Sequence, residues 1–109
     1  MDNPALLSRL EQMLAELDHS VEVLRREHSD RGHPADSGSS LSETDRMQAT
    51  VEAMLLQRRN VIAAIGRVKD GTYGLCTSCR RPVPPGRLEA RPEAARCVGC
   101  QGKYDRLHR

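Results

Sequence analysis

The chain has 109 residues, which is enough for one small domain or for a domain with an extension. It contains no Trp or Phe and only two Tyr, a composition that disfavours a thick aromatic core and a base-stacking surface for single-stranded nucleic acid. It shows neither a secretory signal nor an apolar run of membrane-spanning length, which predicts a cytoplasmic protein without membrane contact.

Charge is distributed unevenly along the chain. Residues 1–40 carry eight acidic and four basic side chains, whereas residues 71–109 carry three acidic and eight basic ones. This polarity is typical of proteins that contact a large charged partner, although short charged helices also show it without one.

The first segment has the apolar spacing of a helix from about Pro4 to His28. Seam residues recur alternately three and four positions apart, as in one strand of a coiled coil. They are Leu7, Leu10, Leu14, Leu17, Val21, Leu24 and finally His28. Residues 29–40 then lose the apolar pattern and are rich in Gly, Pro, Ser and Asp, which predicts a loop.

A second helix is predicted to follow, ending at about Asp70. Ser40 and Glu43 have the spacing of a capping box, and Gly71 is a suitable C-terminal stop. Its seam, again at spacings of three and four, consists of Met47, Val51, Met54, Arg58, Val61, Ile65 and Val68.

The two seams match when the chain is folded back on itself. Residues whose numbers sum to 75 then face each other, as Leu14 faces Val61, which predicts an antiparallel coiled-coil hairpin over residues 1–70. Arg58 is the one charged side chain in the second seam. It either extends to solvent and sets the register or contacts a partner.

Residues 71–109 lack helical periodicity at first and contain every cysteine of the chain. Cys76 and Cys79 form one C-x2-C pair, and Cys97 and Cys100 form another after 17 intervening residues. Two such pairs supply the four thiolates of a structural zinc site, with no position left for a catalytic water. Two disulfides, a redox dithiol and an iron–sulfur cluster are the competing interpretations. A short helix is predicted from about Val98 to Arg109, with Tyr104 and Leu107 on its inner face.

These motifs resemble the DksA/TraR zinc-finger family. The resemblance rests on Gly71-Thr-Tyr-Gly-Leu-Cys76, on Arg87-Leu-Glu-Ala-Arg-Pro92 and on Cys97-x-x-Cys100-Gln101. It implies an all-α protein: an antiparallel two-helix coiled-coil hairpin with its tip loop at about residues 29–40, then a small four-cysteine zinc finger with one structural Zn²⁺ and a C-terminal helix over residues 71–109.

The resemblance also implies a mode of action. Family members bind RNA polymerase by inserting the coiled-coil tip into the secondary channel, where acidic tip residues and a following small residue alter promoter open complexes. Asp36 lies at the second acidic position, His33 at the first and Gly38 at the small position. The expected protein is a bacterial transcription regulator and a monomer, not an enzyme. Direct DNA binding is not expected.

Two departures from the family pattern concern an effector nucleotide. Members that respond to guanosine tetraphosphate have basic residues where Asn60 and Gln101 stand here, and only the neighbouring Arg91 is retained. The sequence therefore argues against this nucleotide as an effector. Arg91 and Arg87 are candidate contacts for polymerase or an effector.

Two alternatives remain open at this stage. The basic C-terminal end could make the chain a zinc-ribbon module that binds nucleic acid. Its basic residues are Arg80, Arg81, Arg87, Arg91, Arg96, Lys103, Arg106 and Arg109. The coiled coil could instead pair with another coiled coil in an interaction scaffold.

Overall fold

The computed structural model describes residues 3–30 and 38–108, and helices account for most of them. Helix α1 covers Asn3–Asp30 and α2 covers Gly38–Asp70; α3 covers Pro85–Ala90 and α4 covers Val98–Leu107. Within these ranges the only strand-like pairing is an isolated antiparallel bridge between Leu75 and Pro82. None of the described helices combines the length and apolarity needed to cross a membrane.

Helices α1 and α2 pack against each other as the predicted antiparallel hairpin. The described seam side chains are all buried or half-buried, and Leu10 and Val61 are fully buried. Leu10, Val61, Ala64 and Val68 form the buried cluster near the base of the hairpin, where Leu7, Leu14 and Ile65 pack around it. Both members of each pair predicted at the base of the hairpin lie in or against this cluster, so the structure confirms the antiparallel hairpin and agrees with the predicted register.

The seam arginine has a partner that the periodicity does not reveal. The Arg58 Nε donates a hydrogen bond to Asp18 Oδ1 at 2.5 Å, and both side chains remain partly exposed. Arg58 therefore directs its charge to the edge of the seam and joins the two helices there, in agreement with a role in register.

The helices extend further toward the tip than composition predicts. Residues 29–30 and 38–40 are helical although the sequence places them in the loop, so α2 begins before the Ser40 capping box. Each residue added to an existing helix gains a hydrogen bond, which offsets the low helix propensity of Ser and Gly. His33 and Asp36 lie outside the described residues, and Gly38 is the first residue of α2.

Helix α2 ends as the sequence predicts. Gly71 has a φ of +84°, a left-handed conformation that glycine adopts without a Cβ penalty. The Thr72 N–H then donates to the Arg67 carbonyl at 2.9 Å, the long-range bond of a Schellman cap. This cap turns the chain sharply from the hairpin into the finger.

The finger contains two features that differ from the sequence prediction. The short helix α3 is not signalled by periodicity, although Pro85 at its first position suits a helix start. The predicted inner face of α4 is wrong, because Leu107 is 82% exposed and Tyr104 is 38% exposed. The Tyr104 ring instead packs between polar groups, with the Arg96 guanidinium 3.8 Å from its centroid and the His108 ring stacked at 3.9 Å.

Candidate metal centre and adjoining cavity

The fold brings the four cysteines to one point at the base of the hairpin. Their Sγ atoms all lie within 4.8 Å of one another, and all four are free thiols in this structure. Four sulfurs at about 2.3 Å from one zinc ion in a tetrahedron lie about 3.8 Å apart. The site therefore fits a single tetrahedral zinc after a small contraction, and it leaves no position for a water ligand.

The first C-x2-C pair lies in a tight turn shaped by two residues with positive φ. Gly74 precedes the turn at +93°, and Arg80 follows Cys79 at +66°. The Cys76 N–H donates to the Arg81 carbonyl at 2.8 Å, and the Arg80 N–H donates to the Cys76 carbonyl at 2.9 Å. These bonds close the turn and point both thiols to the same side.

The second pair is held by the start of α4. Cys97 is the N-cap residue, and the Gln101 N–H donates to its carbonyl at 2.8 Å. Cys100 lies in the first turn of the same helix, where the unpaired N–H groups and the helix dipole favour negative charge. The Thr77 N–H donates to the Ala95 carbonyl at 2.9 Å, which joins the first turn to the segment leading into the second.

The electrostatics of the thiols favour metal binding. Burial raises the pKa of the Cys76 thiol, but hydrogen bonds from the backbone N–H groups of Cys79, Cys97 and Ser78 outweigh burial and lower that pKa to about 6. Hydrogen bonding with the Cys97 and Cys76 thiols raises the pKa of Cys100 to about 12. Cys76 is therefore readily available as the thiolate that a metal requires, whereas a metal must displace the proton of Cys100.

A cavity of about 500 Å³ adjoins the metal centre, between α2, the segment before Cys97 and α4. It brings together Asn60, Arg87, Arg91 and Gln101, which the sequence singles out separately. The structure adds Arg96, whose buried Nε has no hydrogen-bond partner among the described residues. Arg87 is partly engaged, since its Nε donates to the Arg96 carbonyl at 2.9 Å.

Together these features define a class of protein: a two-helix coiled-coil rod whose base is closed by a C4-type zinc finger. A family model described as the prokaryotic dksA/traR C4-type zinc finger matches residues 71–106. The RNA polymerase-binding transcription factor DksA of Caulobacter vibrioides is 37% identical over 109 residues, covering 95% of this chain and 73% of the relative. The chain belongs to the DksA/TraR family, and it carries one structural zinc ion.

Other relatives agree with this assignment. General stress protein 16O of Bacillus subtilis is 37% identical over 75 residues, covering 67% of this chain and 45% of that protein. The structure of transcription factor DksA2 from Pseudomonas aeruginosa superposes with a TM-score of 0.80 at 21% identity, covering 97% of this chain and 84% of that one. The RNA polymerase-binding protein and transcriptional regulator Dks of Chlamydia trachomatis gives a TM-score of 0.60 at 19% identity, covering 97% and 92%. These two structures share the fold.

Proposed function

We propose that this protein regulates transcription by binding RNA polymerase and inserting the tip of its hairpin into the secondary channel. The observation that carries the proposal is the combination of a narrow rod with a metal-closed base in a chain 37% identical to an RNA polymerase-binding transcription factor. Helix α1 alone, with 28 residues, is about 42 Å long, so its last residue, Asp30, lies far from the finger. A rod of this shape can enter a deep pore while its base stays outside.

We assign specific residues to the zinc site and to the tip of the hairpin. Cys76, Cys79, Cys97 and Cys100 hold the zinc ion, and Asp36, His33 and Gly38 act at the polymerase active centre. Asp36 supplies negative charge near the catalytic metal ions, His33 adds a polar group, and Gly38 lets the chain pass close to its surroundings. The protein itself carries out no chemistry, because four sulfur ligands leave the zinc without an open position. It acts as a monomer in the cytoplasm.

The direct test combines binding with promoter-complex lifetime. Core polymerase should retain the wild-type protein in a pull-down, and the wild-type protein should change the lifetime of open complexes. Asp36→Asn should bind equally well but lose most of the lifetime effect, whereas Asp45→Asn, which changes an exposed carboxylate of α2, should behave as wild type. Equal lifetimes for wild type and Asp36→Asn would remove Asp36 from the mechanism. Failure of the wild type to bind would overturn the function itself.

We also propose that guanosine tetraphosphate is not an effector of this protein. Two residues of the cavity, Asn60 and Gln101, are neutral amides, so only the arginines there can offset the charge of such a ligand. The nucleotide should leave the wild-type lifetime effect unchanged, while the double variant N60K/Q101K should gain a response. A wild-type response equal to that of the double variant would contradict this.

The uneven charge distribution supports a second candidate function, that of a nucleic-acid-binding module. Phosphate contacts by the basic finger would give affinity for duplex DNA that falls steeply with added salt. Tight, salt-dependent DNA binding by the isolated protein at physiological ionic strength, together with no retention by polymerase, would favour this second function over the first.

A further inference from the structure

Donors outside the segment between the two cysteine pairs help to hold it in place, in addition to the burial of Pro92 and Glu93. Between Glu89 and Arg96 the chain is largely irregular, so most of its carbonyl groups lack partners within a helix or sheet. Five of them accept hydrogen bonds from more distant groups. These bonds are Arg9 Nη2 to Glu89 O, Tyr73 Oη to Pro92 O, Arg67 Nη2 to Ala94 O, Thr77 N to Ala95 O and Arg87 Nε to Arg96 O.

Two of these donors come from the two opposing arms of the hairpin. Arg9 lies near the start of α1 and reaches Glu89 O at 2.8 Å, while Arg67 lies near the end of α2 and reaches Ala94 O at 3.5 Å. Their numbers sum to 76, as do those of the paired residues Asp18 and Arg58, so the same register places both arginines at one level of the rod. Each arm therefore contacts a different end of one short segment.

The same segment, residues 89–96, also connects the hairpin to the metal centre. It runs directly into Cys97, and the Thr77 N–H ties Ala95 to the first cysteine turn at 2.9 Å. Whatever fixes residues 89–96 against the hairpin thus fixes the orientation of the whole finger. The helices contribute little to this, because α3 and α4 contain no buried residues of their own.

We propose that Arg9 and Arg67 form a two-arm latch that sets the angle between the zinc finger and the coiled-coil rod. They are positioning residues: each donates to a backbone carbonyl of the segment 89–96, one from each arm, on either side of the Pro92 carbonyl that Tyr73 holds. This role goes beyond the proposed transcription function and does not depend on it. The latch sets the relative orientation of the rod and the finger, and therefore the surface that any partner of both would bind.

Residual dipolar couplings of the zinc-loaded protein test the latch, because they report the relative orientation of two parts of a molecule. In the wild type, amides of the hairpin and of the finger should fit one common alignment tensor. The double variant R9Q/R67Q should lose the common tensor while it retains one zinc per chain and the helical signal of the rod. The control R25Q/R59Q removes the same charge from exposed positions of α1 and α2 and should keep a single tensor.

A common tensor in R9Q/R67Q, equal to that of the wild type, would overturn the proposal. Should the double variant fail to fold, the single variant R9Q decides, since Arg9 is exposed and its loss leaves the buried cluster intact. Reduced finger couplings in R9Q, with hairpin couplings unchanged, are the expected result. Unchanged finger couplings in R9Q would contradict the latch.

Discussion

Arg80 shows how a single residue can retain strain beside a metal centre. It occupies the left-handed region at a φ of +66°, which costs an L-residue with a Cβ about 1 kcal/mol or more. The closed turn around Cys76 and Cys79 requires this conformation, because the Arg80 N–H donates back to the Cys76 carbonyl. The spacing of the cysteines indicates the turn, whereas the strained conformation of Arg80 is seen only in the structure.

Replacing Arg80 by glycine should therefore raise the free energy of unfolding. Relief of about 1 kcal/mol of left-handed strain should exceed the added entropy of the unfolded chain, which offsets part of it. The matched control is R81G, which adds the same entropy without relieving strain and should lower stability. Thermal unfolding of the zinc-loaded proteins measures both, and R80G no more stable than R81G would contradict the assignment.

Tyr73 links the turn after α2 to the segment between the cysteine pairs. Its ring packs on the buried cluster of the hairpin, and its hydroxyl donates to the Pro92 carbonyl at 2.9 Å. The variant Y73F should keep the packing but leave that carbonyl without its donor, lowering the free energy of unfolding by about 1 kcal/mol. Y104F serves as control, because the Tyr104 ring is partly exposed and makes its contacts through its face. Equal unfolding midpoints for Y73F and Y104F would show that the bond to Pro92 contributes nothing.

At the scale of the helices, Arg58 fixes the register of the hairpin at some cost in stability. A seam of apolar side chains alone would tolerate a shift by one heptad, whereas Arg58 can reach Asp18 in one alignment only. The pair is partly exposed, so its direct contribution to stability is below about 1 kcal/mol. Its position in the seam also prevents an apolar residue from packing there.

The variant R58L should accordingly stabilise the hairpin by about 1 kcal/mol, because leucine completes the apolar seam. The neighbouring R59L places leucine on an exposed position and should change stability little. Chemical denaturation followed by helical signal measures the difference. If R58L proves less stable than the wild type, the ion pair with Asp18 contributes more to stability than seam packing does.

At the scale of the whole molecule, we expect the metal centre to hold the thin hairpin closed. In its described part the rod buries few large side chains, and zinc binding in small domains supplies free energy on the order of 10 kcal/mol. Both arms meet the segment that leads into Cys97, so order at the metal centre is transmitted to the base of the rod. The finger and the hairpin should consequently unfold as one unit.

Removal of the metal should abolish the fold of the finger and lower the unfolding temperature of the rod. The variant C76S tests this by genetic means and a chelator by chemical means, while S78A, in the same turn without a ligand, should retain one zinc per chain. Metal content and thermal unfolding are the measurements. An unchanged unfolding temperature in C76S would refute the coupling.

The same site should give a definite pH dependence. The lowered pKa of Cys76 means that its thiolate stabilises the fold fully above the pKa of an unfolded thiol, about 8.5. That contribution is lost as pH falls through about 6, where protons also compete with zinc for the sulfur. Zinc retention should therefore decline on acidification. Zinc affinity that does not fall as the pH is lowered would contradict the thiolate assignment.

Much of this protein could be predicted from local patterns. Seam spacings of three and four define each helix and, taken together, their pairing; the two C-x2-C pairs define the zinc site; Gly71 marks the end of α2. Each of these signals depends on residues close in sequence, whose geometry is set by the helix repeat or by one turn. The helical boundaries at the tip were less well predicted, since helix propagation overrides the composition of residues 38–40.

Contacts between distant residues were decided by the tertiary structure alone. No periodicity indicates that Asp18 meets Arg58, that Arg9 reaches Glu89, or that Arg96 lies over Tyr104. These contacts depend on where packing places long side chains whose heads can point in many directions, and on carbonyl groups left unpaired by an irregular segment. The exposure of Leu107 has the same origin, because α4 contains no buried residue and faces α2 across the cavity that Asn60 and Gln101 line.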